Sequence, residues 1–303
     1  MIISDIDALQ RVVKINASIE FYVLEPYLND ALDIYIVPHT GQELADLASA
    51  ATDSDLTSRF SRALGPLAIA LATDELGIQY GDGGITVTNT DSRSPANDSK
   101  ILAARQNLFF RGMQQLDLLL RWLEDNADSY PQYAEHRSKT ADGCMVHDAR
   151  GVEQDGLIDI SLSVLTYRMM VPMMRQLQES VLRPLLGDTL MSRLIAGDSL
   201  STIEGTLRQL CVRYLCNRCA ELLTSQQSRT ERQGSGHEPE YRPVLRPLYN
   251  DITDTGNWFG HQAAYWLQLL GQTLDENAKE LGRDTAAQLD YNRRDSRIFT
   301  NIV

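Results

Sequence analysis

Lysine is scarce in this chain: Lys14, Lys100, Lys139 and Lys279 are its only four among 28 basic residues. With 41 acidic residues and a net charge of −13, a general nucleic-acid binder is excluded, because such a protein presents a basic face to phosphates. Arginine supplies the other cations. It suits planar, bidentate pairing, although a biased genome composition explains the excess equally well. Cysteine is scarce too. Cys144, Cys211, Cys216 and Cys219 are too few and too clustered for a secreted disulfide framework, so reduced thiols are expected. Apolar runs such as Leu67 to Ala72 fall far short of a membrane span. Ser4, Asp5 and Asp7 stand where a signal peptide would carry its basic region and apolar core. The expected location is a bacterial cytoplasm or a virion, without secretion.

What the chain does contain is one pattern written twice. Pro26, Pro38, Gly41, Leu44, Leu64, Glu75 and Leu76 find the same residue types 146 positions later, at Pro172, Pro184, Gly187, Leu190, Leu210, Glu221 and Leu222. Further on, Leu116, Leu119, Leu123, Asn126 and Ala127 match Leu267, Leu270, Leu274, Asn277 and Ala278 at a spacing of 151. Matching leucines mean little. Prolines and a glycine held in register mean more, because each fixes local backbone geometry.

The expected fold is therefore mainly α, as two tandem helical-bundle repeats, each with a small β-hairpin insertion. Repeat A spans 1–135 with its hairpin at 78–90, and residues 136–159 are read as a polar connector. Repeat B spans 160–303, with an insertion at 225–248 and a C-terminal strand at 297–303. In repeat A, Ser4 and Asp7 resemble a capping box for a short helix. A longer helix carries Pro26 and is expected to stop at Pro38, with Gly41 supplying a turn. A third helix is expected from a cap at Ser54 to Leu76, and a fourth from about Asp98 to Ala127. Their counterparts in repeat B end at Pro184 and span Ser201–Leu223 and Trp258–Leu281. Ile78–Tyr80 and Ile85–Thr88 flank Gly81-Asp82-Gly83-Gly84, a hairpin pattern. The strand candidate of repeat B, Tyr241–Leu248, is weakened by Pro243 and Pro247.

Each reactive cluster has a plainer reading. Cys216-x-x-Cys219 with Cys211 lacks a second ligand pair for zinc, and on a helix these thiols would act as small apolar side chains. His147-Asp148, with Cys144 and His136 upstream, invites a hydrolase reading, but the other histidines show no ligand spacing. The glycine-rich 81–84 segment lacks the phosphate-loop lysine and opens no helix. Trp258, Phe259, Tyr265 and Trp266 fall at helical spacing, as core or interface residues do. No catalytic, cofactor-binding or metal site is expected.

The run Leu24-Glu25-Pro26-Tyr27-Leu28 through Ile36-Val37-Pro38 and Gly41-Gln42-Glu43-Leu44 resembles a family of unknown function from Bacteroides-type genomes and their prophages. So does Gly84-Ile85-Thr86-Val87-Thr88-Asn89-Thr90 with Ser94-Pro95-Ala96 before a long helix. The repeated helical unit is similar to the head–tail connector, or head-completion, proteins of tailed phages. That resemblance implies a non-enzymatic structural protein that works through subunit–subunit contacts, as a ring with copies of itself and with portal or tail proteins. It implies no cofactor. Known connectors generally carry one such unit, whereas this chain reads as two. Ile298, Phe299 and Ile302 on the terminal strand, and Ile85 and Val87 on the hairpin, are the candidate assembly contacts, since a free strand can add to a neighbour's sheet. The alternative is a cytoplasmic helical binding or regulatory module. An enzyme built on Cys144, His136, His147 and Asp148 stands third.

Overall fold

A computed structural model describes residues 1–16, 19–73, 75–76, 78–81, 84–87, 98–141, 143–233, 245–247 and 255–282. The described chain is mainly helical. Its opening elements are α1 (Ile6–Gln10), α2 (Phe21–Ala31), a π-helical turn (Leu32–Ile36), α3 (Val37–Thr40), α4 (Gln42–Ser49) and α5 (Ser54–Ala72). Strands β1 (Ile78–Gly81) and β2 (Gly84–Val87) follow, then α6 (Asp98–Asp125) and α7 (Pro131–Ala141). Next come α8 (Ala149–Gln154), β3 (Ile158–Asp159), α9 (Val164–Leu177), a second π-turn (Gln178–Leu182), α10 (Arg183–Leu186) and α11 (Asp188–Ala196). The long α12 (Thr202–Gln233), β4 (Arg246–Pro247) and α13 (Thr255–Glu276) complete the chain.

Two compact units emerge. The first contains Met1–Asp142 together with Ser163–Leu165, and the second contains Gly143–Leu162, Thr166–Arg229 and the chain from Val244. In the first, α2, α5 and α6 pool Leu24, Leu28, Phe60, Leu67, Leu116 and Leu123, all buried. These residues recur at three- and four-residue intervals, so each helix offers one apolar stripe. In the second, the stripe of α12 runs Leu207, Cys211, Leu215 and Cys219, with Phe259, Leu270 and Leu274 buried on α13.

Pro38 does not stop its helix, as the sequence suggested. It lies at the start of α3, directly after the π-turn, and helical backbone continues to Thr40. A proline ring collides with the carbonyl four residues earlier and removes one N–H. The π-turn resolves both difficulties by widening the coil, so that Val37 N–H bonds to Leu32 O, five residues back. Pro184 follows the second π-turn in the same way, with Arg183 N–H bonded to Gln178 O. In both cases the stop comes at a glycine: Gly41 has φ 84° and ψ 154°, and Gly187 has φ 80° and ψ 159°. Only glycine enters that region freely.

Other boundaries also moved. Asp5, rather than Ser4 with Asp7, caps α1 by accepting from Ala8 N–H at 2.8 Å. Asp53, one residue before Ser54, caps α5 through Asp55 and Leu56. A carboxylate accepts from the exposed N–H groups of a first turn more strongly than a hydroxyl does. Helix α12 runs ten residues past Leu223, so the segment read as an insertion at 225–248 begins as helix. Inside it, Arg246 pairs with Asp159 and Pro247 with Ile158 in an antiparallel bridge to β3 rather than in a hairpin. Helix α13 spans 255–276 instead of 258–281. β1 and β2 pair antiparallel, with Ile78 opposite Val87 and Tyr80 opposite Ile85. The terminal strand 297–303, with Ile298, Phe299 and Ile302, lies outside the described residues.

Residues 136–159, read as a connector, fold as the end of α7, all of α8 and β3. Their average polarity hides Cys144, Met145, Val146, Val152 and Ile158, all buried. The buried Gln178 side chain stitches this stretch down. Its carbonyl accepts from Met145 N–H at 2.8 Å, and its amide donates to Gly143 O at 2.8 Å. Tyr167 donates to Val146 O at 2.9 Å, and Arg208 donates to Met145 O at 2.8 Å.

Candidate functional site

Both units contain a sharp corner where a short helix meets the next through a positive-φ glycine. In the first unit, α3–Gly41–α4, the corner is closed by α7. The His136 ring lies on Gly41, close enough that an added Cβ would meet its Nδ1 at 3.4 Å, and its Nε2 stands 3.1 Å from Pro38 O. Helix α7 is itself held by Tyr133, whose hydroxyl donates to Glu124 at 2.8 Å, and by Arg137 paired with the same carboxylate at 2.8 Å. Beneath it Leu44 is fully buried.

In the second unit, α10–Gly187–α11, the corner is open. A Cβ on Gly187 would meet nothing within 4 Å. A groove of about 650 Å³ lies there, between the start of α11, the start of α12 and the turn that follows α13. Leu186, Leu190, Ile203 and Leu281 give it apolar walls. Leu190, the counterpart of Leu44, is only half-buried.

The polar side of the groove is built by a capping box. Ser201 N–H donates to Glu204 at 2.9 Å and Glu204 N–H donates to Ser201 Oγ at 3.3 Å, while Arg193 pairs with the Glu204 carboxylate at 2.9 Å. The bond from Ser201 holds the Glu204 carboxyl below its ordinary range. The S-x-x-E pattern of Ser201–Glu204 was legible in the sequence, although only the start of the helix was drawn from it.

The residues singled out for chemistry are spent on structure or kept inert. Asp148 caps α8, accepting from Gly151 N–H at 2.7 Å. Cys144 points its thiol at Met174 Sδ, 3.9 Å away, inside the second unit, while His136 packs against Pro38 and Gly41 in the first. His147 is exposed. Burial pushes the thiols of Cys144, Cys216 and Cys219 above their ordinary value and that of Cys211 up to about 12, so the nucleophilic thiolate is disfavoured. Among the described residues no three His, Cys, Asp or Glu side chains converge as a metal site requires. Trp258 and Phe259 meet edge to face at 5.2 Å, and Arg213 stacks over Trp266 at 4.7 Å. Asp117 carries a role the sequence hid: this buried carboxylate on α6 accepts from Leu165 N–H at 3.0 Å and caps α9. Sequence spacing offers no signal for such a distant partner.

Residues 23–143 are similar to a family of unknown function, DUF6712. The match covers less than half the chain and runs from α2 through the end of α7. The unit that this family repeats from protein to protein therefore includes the helix that closes the Gly41 corner. No curated protein and no protein of known structure matches the chain.

Proposed function

We propose that this chain is a non-enzymatic assembly protein made of two copies of one helical-bundle unit, acting through subunit–subunit contacts in the manner of a tailed-phage head–tail connector. The duplication is supported by matched backbone devices at the sequence spacing of 146. In both halves a helix with an internal proline (Pro26, Pro172) leads into a π-turn, a second proline and a glycine near φ +80°. Asn126 and Asn277, matched at 151, each donate back to a carbonyl four residues earlier at 2.8 Å.

The observation that carries the functional reading is the set of large apolar side chains turned to solvent on long helices. Tyr22 is 68% exposed beside Val23 on α2, Ile34 is 56% exposed on the π-turn, and Leu118 and Phe110 lie open on α6. Tyr265 is 53% exposed on α13. Scattered exposed apolar residues are ordinary, but Tyr22, Val23 and Ile34 fall on one continuous helical run. A closed ring needs two different surfaces on each subunit, and α2 and α13 are elements of separate units. The partners would be copies of this chain and portal or tail proteins, with Ile85 and Val87 on β2 able to take an added strand. No described helix is long and apolar enough to cross a membrane.

Sedimentation velocity on the full chain, alone and with a purified portal ring, tests the reading. Concentration-dependent oligomers, or co-sedimentation with the ring, are expected, and both should weaken in the Tyr22→Asp and Tyr265→Asp variants. A chain that stays monomeric in both settings sinks the proposal.

A further inference from the structure

We infer that the groove at Gly187 is the seat of the chain's own residues 283–292, packed there as a short helix in the way that α7 packs on Gly41. The inference rests on the duplicated-unit reading above and adds an occupant to it.

The first argument is the matched pair of corners. Gly41 and Gly187 share φ and ψ to within about 5°, and each sits between a four-residue helix and the helix that follows. One corner is covered by a helix and buries Leu44 completely. The other leaves Leu190 half-buried over about 650 Å³ of groove. A half-exposed leucine beside Leu186 and Ile203 is apolar surface that a helix could remove from water.

The second argument is chain continuity. Glu280 and Leu281 already line the groove, so the next residues of the same chain begin at its wall. The spacing of 151 that matches Leu123 with Leu274 and Ala127 with Ala278 places the counterpart of α7 at 282–292. Thr285-Ala286-Ala287-Gln288-Leu289 in that interval contains strong helix formers and no proline or glycine. Gly282 has φ +64°, a left-handed step of the kind that separates one helix from the next.

The third argument is charge. The groove presents Asp188, Glu204 and Glu280 against a single lining arginine, Arg193. Arg283 is the first residue past its wall, and Arg293 and Arg294 follow the proposed helix. Carboxylates and guanidinium groups in that order favour the segment over an acidic stranger.

The test uses the full chain carrying Thr189→Cys with Leu289→Cys, treated with a short bismaleimide. The native thiols are buried and should react slowly. The expected product is a crosslink within one chain. It should form at least about tenfold faster than in a control pairing Leu289→Cys with Asp198→Cys at the far end of α11, as an effective-concentration difference requires. Hydrogen exchange on the unmodified protein supplies an independent readout: amides of 285–292 should exchange about tenfold or more slower than unstructured chain. Equal crosslinking rates at both positions, crosslinks that join two chains and vanish on dilution, or unprotected amides would each overturn the inference. Oligomers seen by sedimentation without this crosslink would sink the inference and leave the assembly reading standing.

Discussion

Gln178 shows how one polar side chain can organise a core. It is buried, yet both ends of its amide are satisfied by the backbone of Gly143 and Met145. Gln178→Leu keeps the volume and strands one N–H and one C=O, which should cost about 2 kcal/mol; urea unfolding monitored by circular dichroism would measure it. Glu204 gives a prediction in pH. Its carboxyl is held below the ordinary 4.5, first by the Ser201 N–H and further by Arg193. A depressed folded value means that the charged form stabilises the fold above about pH 4.5 and that this contribution is lost as pH falls through the folded value. Wild type and Glu204→Gln should therefore differ most in thermal midpoint near neutral pH and converge in acid. The thiols were legible as core residues from their helical spacing. Gln178 was not, because nothing in its local pattern announces a partner 33 positions away.

At the scale of elements, proline and glycine carried most of the legible information, and one proline misled. Pro38 and Pro184 looked like stops. Each instead rides behind a π-turn, and the stop falls three residues later at glycine. A π-turn is in effect a one-residue insertion into an α-helix, and it leaves no composition mark. Deleting Asp33 should return that stretch to α-helical phase and drive the Pro38 ring against a backbone carbonyl. The expected loss is about 3 kcal/mol. Pro38→Ala should recover part of it in the deleted chain while changing little by itself. Chemical denaturation of the four proteins would close that cycle. The interval 136–159 was misleading for a different reason: turns and caps at Asp148 and Gly151 dilute a short apolar string that is buried nonetheless.

At the scale of the whole molecule, the mainly helical class and the order of the long helices were visible in sequence periodicity. The borders of the two compact units were not, since they depend on contacts far apart in the chain. Ser163–Leu165 lies beyond α8 and β3 yet belongs to the first unit, where Val164 and Leu165 are buried and Leu165 N–H meets Asp117. A fragment ending at Asp142 should therefore melt at a lower temperature than one ending at Leu165, by several degrees for the loss of two buried side chains and a helix cap. Calorimetry of the two fragments would read the difference.

That late-arriving trio has a meaning for birth as well as for stability. During translation the amino-terminal unit stays unfinished until the ribosome has released Leu165, by which time Cys144 through Leu162, destined for the other unit, is already outside. Nascent interiors of both kinds are thus exposed together, and a pause in synthesis just before Ser163 would be the moment of greatest danger for aggregation.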